Sequence, residues 1–437
     1  MYSLADTCLE CNRKIRLNFN GGDLSSDTGL FLIKEFAHKI GFENVIKSIF
    51  KTNDSATFRI HKDSENLLQK IYQVIAGYFQ DDDSDEINKD PVFNSILGKE
   101  TLASQPTMSR FFNRLDENTL NQFEEIHKII RQKIYSIKTP EIALFDIDST
   151  LFETHGTQEG NGFNYHYSSH GYHPLLCYDG LTGDLLKAEL RDGNVYTSNG
   201  VVEFIKPLLL EYLEYYPETK LYLRGDSGFA VPELFNLLES NGCTYAIKLK
   251  ANNSLYKEAA YITDKLDEIT ANNKLDYAVY YGEFQYKAGS WDYPRRVVVK
   301  VEKPTGQFIY MYTFIVTNME LEPEKVIQFY CNRGRMENFI KECKNGFSFD
   351  SMSSHNKIVN SNRLQISMLA YNLFNYFRRL VLPLKMRKLQ IDTIRLKLIK
   401  IASRIIQSSR YIIFKLCSSY AYKNEFYEIM ANIHKLE

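Results

Sequence analysis

The chain has 437 residues, with 53 Lys and Arg against 54 Asp and Glu, so its formal net charge is −1. Apolar residues make up 44% and aromatic residues 14%, which excludes wholesale disorder because so much apolar surface supports a large core. No run approaches about 18 apolar residues, which excludes a membrane-spanning helix. The first residues lack an apolar stretch, so we expect no signal peptide, and seven scattered Cys indicate a reducing cytoplasm.

Residues 1–140 are predicted to form a helical N-terminal region. Apolar side chains recur at helical spacing over residues 24–40 and 67–79. An acidic block at 81–90 follows, and we expect it to be a solvated linker.

Beyond that block, residues 91–115 predict a short helix, a turn and a second helix that begins near Pro106. Arg110 and Arg114 lie four residues apart and would share one face of the second helix. A helix-turn-helix that contacts DNA explains them, and so does an ordinary helical hairpin with surface arginines.

From residue 141 the pattern changes to strands alternating with helices, which predicts an α/β core over 141–250. Residues 276–317 are rich in Tyr and Val without a helical period, so we predict a β-rich insertion over 251–318. Helices resume at Pro323, giving a second part of the core over 319–382 and a basic C-terminal region over 383–437.

The expected core strands are 142–148, 175–178, 185–190, 221–224 and 244–249, with an amphipathic helix at 201–215.

The C-terminal charge is strongly one-sided. Between Arg378 and Lys423 there are 12 basic side chains and a single acid, Asp392, a local balance of +11. A solvated helical face is one explanation, but the excess favours a surface that contacts phosphates.

Three carboxylates follow predicted core strands. Asp146 and Asp148 close the first strand and share a face because they are two residues apart, and Asp226 lies in a Gly-Asp-Ser-Gly turn after a later strand. Ligands of open α/β sheets gather beyond strand ends, so both places are candidate sites. A turn-forming or helix-capping role explains either place equally well.

The helix predicted after Pro323 carries a polar stripe with steps of 3, 4, 4 and 3 residues, which fall within about 80° of one another. Apolar residues lie beside the stripe, so it borders the buried edge of the helix. A carboxylate there, among cations, suits a metal and phosphate site, and a solvated face with Glu337–Lys341 pairing is the alternative. The stripe consists of Tyr330, Arg333, Glu337, Lys341 and Lys344.

The spacing Tyr330-x2-Arg333-x3-Glu337-x6-Lys344 resembles the Y-R-E-K signature of bacterial insertion-sequence transposases with a DDE catalytic triad. Three other stretches resemble the group-1 branch of that family and occur in the expected order. They are FDIDSTLFETHGTQEG, RDGNVYTSNG and LRGDSGFA. The resemblance implies a ribonuclease-H-like mixed sheet with flanking helices and a β-rich insertion between the second Asp and the Glu. That arrangement agrees with the elements predicted above.

By this resemblance, Asp226 and Glu337 are the second and third catalytic acids. The first is Asp146 or Asp148, and we favour Asp148 because the family often places this Asp shortly before a Thr, here Thr150. The three acids would hold two Mg²⁺ or Mn²⁺ ions for DNA strand cleavage and strand transfer. The implied DNA and phosphate contacts are Tyr330, Arg333, Lys341 and Lys344.

The partner that the resemblance implies is double-stranded DNA, as both transposon ends and target, bound by a homodimer. No membrane partner is expected, and the implied location is the bacterial cytoplasm in association with the nucleoid.

Two other functions fit parts of the sequence. The Asp146-Ile-Asp148-Ser-Thr150 stretch resembles the nucleophile motif of haloacid-dehalogenase-like phosphatases, with Asp146 as nucleophile. That family's usual further acid after the later Asp loop is missing, and Glu337 stays unexplained. A transposase-derived DNA-binding protein without catalysis is the second alternative, although all three acids are present.

Metal sites elsewhere have weak support. Cys8 and Cys11 form a C-x2-C pair with no second pair nearby, so zinc is disfavoured. Four histidines lie in a segment that we predict to be a loop before the strand at residue 175, either near the candidate site or in surface and packing roles. They are His155, His166, His170 and His173.

Overall fold

The computed structural model describes residues 7–56 and 58–436. The chain divides into two compact units. The first comprises Met1–Ile137, Glu342–Phe349 and Gln365–Glu437, and the second comprises Lys138–Lys341 and Asp350–Leu364. Across the described ranges, no helix combines the length and apolar character that a membrane span requires.

The N-terminal part of the first unit is mainly helical, as the sequence predicts. Its helices are α1 (Leu30–Lys39), α2 (Phe42–Ile49), α3 (Asp63–Ala76), α4 (Asp83–Glu86), α5 (Pro91–Leu97), α6 (Gln105–Phe112) and α7 (Glu117–Ile137). Its short strands are β1 (Thr7–Cys8), β2 (Arg16–Leu17) and β3 (Leu24–Ser25).

The helix pair α5 and α6 confirms the predicted helix, turn and helix. Asp90 Oδ1 accepts hydrogen bonds from the N–H groups of Val92 and Phe93, which caps α5. Gly98 ends that helix with a φ of 64°, a conformation that glycine adopts without strain. However, α6 ends at Phe112, so Arg114 lies beyond the helix on which it was expected.

Two expectations for this region were wrong. The helix expected from residue 24 begins only at Leu30, because Leu24–Ser25 pairs with a strand near the C-terminus. The acidic block is solvated only in part and is not an irregular linker. Asp82, Asp85 and Glu86 are exposed, but the block contains α4, and Asp81 forms an ion pair with the nearly buried Lys70. Long-range pairing of this kind leaves no local pattern in the sequence.

The second unit contains a large mixed sheet. Its strands in chain order are β4 (Ile142–Ser149), β5 (Phe152–Glu153), β6 (Gly162–Asn164), β7 (Ser169–Tyr172), β8 (Leu175–Asp179), β9 (Leu185–Glu189), β10 (Lys220–Gly225), β11 (Thr244–Leu249), β12 (Ala278–Tyr286), β13 (Arg295–Lys303) and β14 (Met311–Thr317). Eight of them form one sheet in the order β12-β13-β14-β11-β10-β4-β8-β9.

The centre of this sheet has the predicted ribonuclease-H-like arrangement. Strands β4, β8 and β9 form an antiparallel meander, while β10 lies parallel to β4 and β11 parallel to β10. The apolar side chains of β4 are almost completely buried, which explains its continuous apolar run. The connecting helices are α8 (Val201–Tyr215) and α9 (Pro232–Ser240).

The insertion extends the same sheet, because β14 pairs antiparallel with β11. Two helices, α10 (Asn253–Glu258) and α11 (Ala260–Ile269), precede its strands. Trp291 is 5% exposed and its ring lies 5.4 Å from that of Phe235, so it has a packing role.

The segment at 152–172, expected to be a loop, contains a small antiparallel sheet in the order β5-β7-β6. Gly171 permits its close strand approach, since a Cβ there would lie 2.0 Å from the carbonyl oxygen of Phe152. Strands of two to four residues are too short to show an alternating pattern, which explains the missed prediction.

The single helix predicted after Pro323 is two helices, α12 (Pro323–Cys331) and α13 (Gly334–Phe347), which are followed by α14 (Lys357–Val381). Arg333 N–H donates to the carbonyl of Tyr330 and Met336 N–H to that of Arg333, so the chain tightens to three-residue turns at the break. The polar stripe is therefore not continuous on one helix.

The basic C-terminal region is not one helical face. It contains α15 (Ile391–Ile394), a π-helical turn at Arg395–Ile399, β15 (Ser403–Gln407), β16 (Ile412–Leu416) and α16 (Lys423–His434). Strand β15 lies between β16 and β3 in a three-stranded antiparallel sheet.

Candidate active site

Asp148 lies near the end of β4 with a side chain that is 17% exposed. Its Oδ1 accepts a hydrogen bond from Ser149 N–H at 2.9 Å and lies 3.0 Å from Nη2 of Arg333. Within the described residues, no hydrogen bond reaches its second oxygen, Oδ2. Oδ1 is thus held in place by the fold, and Oδ2 is available to bind a ligand.

Asp226 follows β10 and is anchored in the same way. Its Oδ1 accepts a hydrogen bond from Gly228 N–H at 2.9 Å, which caps the 3₁₀ turn Ser227–Phe229. No hydrogen bond to its Oδ2 is formed in the described part of the chain. Because β4 and β10 are adjacent and parallel, the two carboxylates lie at the same edge of the sheet.

The charges of these two residues interact. Burial raises the pKa of Asp148, the guanidinium of Arg333 lowers it, and the carboxylate of Asp226 raises it, with a net shift above the ordinary value of 3.8. A cation added at this edge would relieve the repulsion between the two carboxylates.

Arg333 and Tyr330 complete the cluster. Arg333 Nη2 also donates to the carbonyl of Ile147 at 3.1 Å, while its buried Nε has no hydrogen-bond partner among the described residues. Burial, together with the charges of Asp226 and Asp148, raises the pKa of Tyr330 to about 12 even though Arg333 opposes the shift. Tyr330 therefore keeps its phenolic proton at neutral pH.

Asp146 has a different environment. It is completely buried, and both of its oxygens accept hydrogen bonds at 2.6 Å from Nε and Nη2 of Arg224. The Nη1 of Arg224 donates to the carbonyl of Phe329 in α12 at 2.6 Å. Both oxygens of Asp146 are thus used within the fold.

Glu337 lies in the first turn of α13 and is exposed. Over residues 7–56 and 58–436, no three His, Cys, Asp or Glu side chains come together closely enough to hold a metal ion. The structure thus brings Asp148, Asp226, Arg333 and Tyr330 together, and it does not place Glu337 in contact with the two aspartates.

The remaining predicted DNA contacts occupy varied positions. Arg110 and Lys341 are exposed, and Lys344 is partly buried. Arg114 is committed to an ion pair in which its Nη2 lies 2.5 Å from Oδ1 of Asp63. That pairing makes Arg114 a poor candidate for a phosphate contact.

Sequence reasoning missed three residues that support the site. Arg191 is 5% exposed and donates to the carbonyls of His173, Thr197 and Asn199, which folds the loop after β9. The loop places the Thr197 hydroxyl 3.2 Å from that of Ser149, next to Asp148. The only available signal was the RDGNVYTSNG motif, whose residues carried no assigned roles.

Tyr167 is the third missed residue. Its hydroxyl donates to the carbonyl of Ser149 at 3.3 Å. Burial and the charges of Asp148 and Asp226 raise its pKa to about 12.

Of the four histidines, His173 is buried, and its Nδ1 lies 2.8 Å from the carbonyl oxygen of Val195. Burial lowers its pKa, and Asp226 acts in the opposite direction. His155, His166 and His170 are exposed, as are Cys8 and Cys11.

An open cavity of about 420 Å³ lies at the opposite ends of β4 and β10. Its lining residues are Thr139, Pro140, Glu141, Ile142, Glu218, Thr219 and Lys220. None of these belongs to the acidic cluster, so the cavity is not the candidate site.

The fold and cluster define a class of protein: a mixed α/β protein whose central parallel strands end in an acidic site with an adjacent arginine, suited to phosphate chemistry. The family described as Transposase DDE domain group 1 matches residues 8–437. The chain therefore belongs to the group-1 DDE transposase family, and it is a DNA transposase. This assignment does not favour the phosphatase or the non-catalytic alternative.

The comparison with curated proteins gives no match. Among solved structures, the chain is similar to a cryo-EM structure of a piggyBac transposase synaptic complex with hairpin DNA. The TM-score is 0.44 and the sequence identity is 16%, with 86% of this chain and 80% of that chain covered.

Proposed function

We propose that the chain catalyses divalent-metal-dependent cleavage and strand transfer of DNA, with Asp148, Asp226 and Glu337 as its catalytic acids. The supporting observation is the arrangement of the two aspartates at adjacent parallel strand ends. Each fixes Oδ1 with a backbone N–H and leaves Oδ2 without a partner among the described residues.

The donor set suits Mg²⁺ or Mn²⁺. Mg²⁺ is usually held by one or two protein carboxylates, together with water and substrate phosphates, and two unpartnered carboxylate oxygens match that requirement. Glu337 would add a third carboxylate from the first turn of α13, four residues after Arg333. When bound, two such ions would activate the attacking oxygen and stabilise the leaving oxygen.

Arg333 and Tyr330 would bind the scissile phosphate. Arg333 has an unpartnered Nε and a guanidinium whose fork geometry suits bidentate phosphate contacts. Tyr330 retains its proton at neutral pH and so can donate a hydrogen bond to a phosphate oxygen.

The choice of Asp148 over Asp146 follows from their contacts. Asp146 has both oxygens committed to Arg224 and no exposed surface, whereas Asp148 lies at the sheet edge with one oxygen available. Burial raises the pKa of Asp146 despite the opposing effect of Arg224.

The finer assignments rest on the sequence resemblance. They are the Y-R-E-K role of Tyr330, Arg333, Glu337 and Lys344, an origin in a bacterial insertion sequence, and a homodimer that bridges two DNA ends. Lys341 and Arg110, both exposed, remain candidate DNA contacts.

The experiment is footprinting on the DNA that flanks this gene, followed by Mg²⁺-dependent cleavage of the protected ends. We expect Glu337→Gln to protect the same ends and to cleave neither. The matched control is Glu233→Gln, which changes another exposed glutamate in a first helical turn and should cleave normally. Normal cleavage by Glu337→Gln would remove Glu337 from the site, and absence of cleavage by the unmodified chain would refute the function.

A further inference from the structure

Strands β15 and β16 form a two-stranded hairpin, residues 403–416, which we call the basic hairpin. Ser408 N–H donates to the carbonyl of Tyr411 at 2.9 Å, so the turn is tight and Arg410 lies at its tip. The hairpin is attached to the first unit through pairing of β15 with β3.

One face of this hairpin carries both charge and exposed apolar surface. The register sets Arg404 opposite Lys415 and Ile406 opposite Ile413, so these four side chains share a face. Arg404 and Lys415 are exposed, and Ile406 and Ile413 are 37% and 45% exposed.

The cations of the hairpin are not neutralised by the protein. The sequence contains no acid between Asp392 and Glu425. Over the described residues, no ion pair involves Arg404, Arg410 or Lys415.

Other cations of the basic region do have acidic partners. The pairs are Arg378–Glu342, Lys385–Glu425, Arg395–Asp392 and Lys400–Asp27. Several cations of the C-terminal region are therefore paired with carboxylates of the fold, whereas the cations of the hairpin are not.

The arrangement is unfavourable for the isolated fold. Like charges directly opposite each other on antiparallel strands are destabilising, and Arg404 faces Lys415. Asp23 lies beside Arg404 in the sheet, because its backbone carbonyl accepts from Ile405 N–H, but it forms no ion pair with either cation. A bound polyanion would attract both cations and so offset the repulsion between them. A second copy docked through the same hairpin would not, because it would bring the same cations face to face.

We propose that the basic hairpin docks on the phosphate backbone of a DNA duplex, as a contact surface distinct from the residues of the candidate active site. The proposal rests on the proposed function, because it takes the polyanion to be the DNA on which the transposase acts. Beyond Arg404, where the pairing with β3 ends, the hairpin is a two-stranded β-ribbon, and such a ribbon fits the major groove, which is about 12 Å wide. Arg404, Arg410 and Lys415 would contact phosphates on either side of the groove.

The test measures the affinity of the full chain for a fluorescent duplex across a range of salt concentrations. Each phosphate contact contributes about 0.9 to the slope of log K against log salt. We expect the double variant Arg404→Ala, Lys415→Ala to lose about 2 from that slope and about tenfold in affinity on any duplex sequence.

Two control variants separate specific contact from net charge. Lys51→Ala, Lys89→Ala removes the same charge from exposed positions of the same unit and should leave the slope unchanged. Arg404→Lys, Lys415→Arg exchanges the two cations and should keep most of the affinity.

Thermal unfolding excludes a folding defect. Because Arg404→Ala removes a like-charge pair, the double variant should unfold at the same temperature as the unmodified chain or higher. Weaker DNA binding with unchanged or increased stability supports the proposal.

The proposal fails if the double variant keeps the full salt slope while the unmodified chain still cleaves its DNA ends, a result that leaves the proposed function standing. It also fails if the substitutions abolish binding to anionic phospholipid vesicles, or self-association, without changing DNA binding. A chain that neither binds nor cleaves DNA would instead refute the proposed function itself.

Discussion

Arg224 and Asp146 form a buried bidentate ion pair, with 2.6 Å separating Nε from Oδ1 and Nη2 from Oδ2. Their side chains are 2% and 0% exposed. Because Arg224 also donates to Phe329, the pair connects β4, β10 and the end of α12. It thereby positions Tyr330 and Arg333, which follow Phe329, beside the edge where Asp148 lies.

Removing one member of this pair should destabilise the chain strongly. Arg224→Met leaves the carboxylate of Asp146 buried without a partner, at a cost of about 3–5 kcal/mol in the free energy of unfolding. Urea denaturation measures this loss. Asp148→Asn is the control, and its effect should stay within about 1 kcal/mol because Asp148 lies at the sheet edge. Equal losses in the two variants would contradict the different roles of Asp146 and Asp148.

Gly180 should tolerate no side chain. A Cβ at this position would lie 2.1 Å from Oδ2 of Asp146 and 2.8 Å from Nη2 of Arg224, and neither atom can move without breaking the pair. We expect Gly180→Ala to lower the melting temperature by several degrees. Gly289→Ala, whose Cβ meets no atom within 4 Å, should melt normally, and a normal melting temperature for Gly180→Ala would show that the pair can shift.

The pKa of Asp148 should move in opposite directions in two variants. Asp226→Asn removes a neighbouring negative charge and lowers the pKa, whereas Arg333→Gln removes a positive charge and raises it. Carbon-13 NMR titration of the side-chain carboxyl, with Asp148→Asn to assign the signal, measures both shifts. Shifts of the same sign would contradict the arrangement of the cluster.

The same raised pKa has a consequence for stability. The folded chain holds the Asp148 proton more tightly than the unfolded chain, so this residue's contribution to the free energy of unfolding falls as the pH rises from 3.8 through the raised pKa. The stability difference between the unmodified chain and Asp148→Asn should therefore change over that pH window. A difference that is independent of pH would mean that the pKa is not raised.

Arg191 should act as a positioning residue. Arg191→Met leaves the carbonyls of Thr197 and Asn199 without their donor, so the loop that holds Thr197 near Ser149 should loosen. We expect faster amide hydrogen exchange over residues 195–200 and slower DNA cleavage, with DNA affinity unchanged. Lys187→Met, on β9, is the control and should leave this exchange unchanged. Exchange in the Arg191 variant that is no faster than in the unmodified chain would contradict this role.

Much of the fold could be predicted from the sequence because its strands are short apolar runs separated by turn residues. Strand β11 and helix α8 occupy the predicted ranges, since each has clear local boundaries. The small sheet of β5, β6 and β7 could not be predicted, because its pairing joins segments that lack a local pattern. The break at Asn332 and Arg333 depends on hydrogen bonding that helical spacing does not reveal.

The candidate site, like the fold, could be predicted from the sequence only in part. Strand ends and motif spacing indicate Asp148 and Asp226, because ligands of open α/β sheets gather beyond the ends of strands. The spacing cannot show that Asp146 is paired with Arg224, since that contact joins residues 78 positions apart. It also cannot show that Arg191 folds the loop beside the site.

The central claim is that Glu337 joins Asp148 and Asp226 in holding the divalent ions. Glu337 provides the most demanding test because it is exposed on α13 and does not contact the aspartates. Replacing its carboxylate with a thiolate changes the preferred metal, because thiolate is a poor ligand for Mg²⁺ and a better one for softer ions such as Mn²⁺.

The most direct measurement is therefore DNA-end cleavage by Glu337→Cys in Mg²⁺ and in Mn²⁺, with Glu233→Cys as the control. We predict that Glu337→Cys is inactive in Mg²⁺ and regains cleavage in Mn²⁺, while the control cleaves in both. Cleavage in Mg²⁺ at the rate of the unmodified chain would contradict the claim.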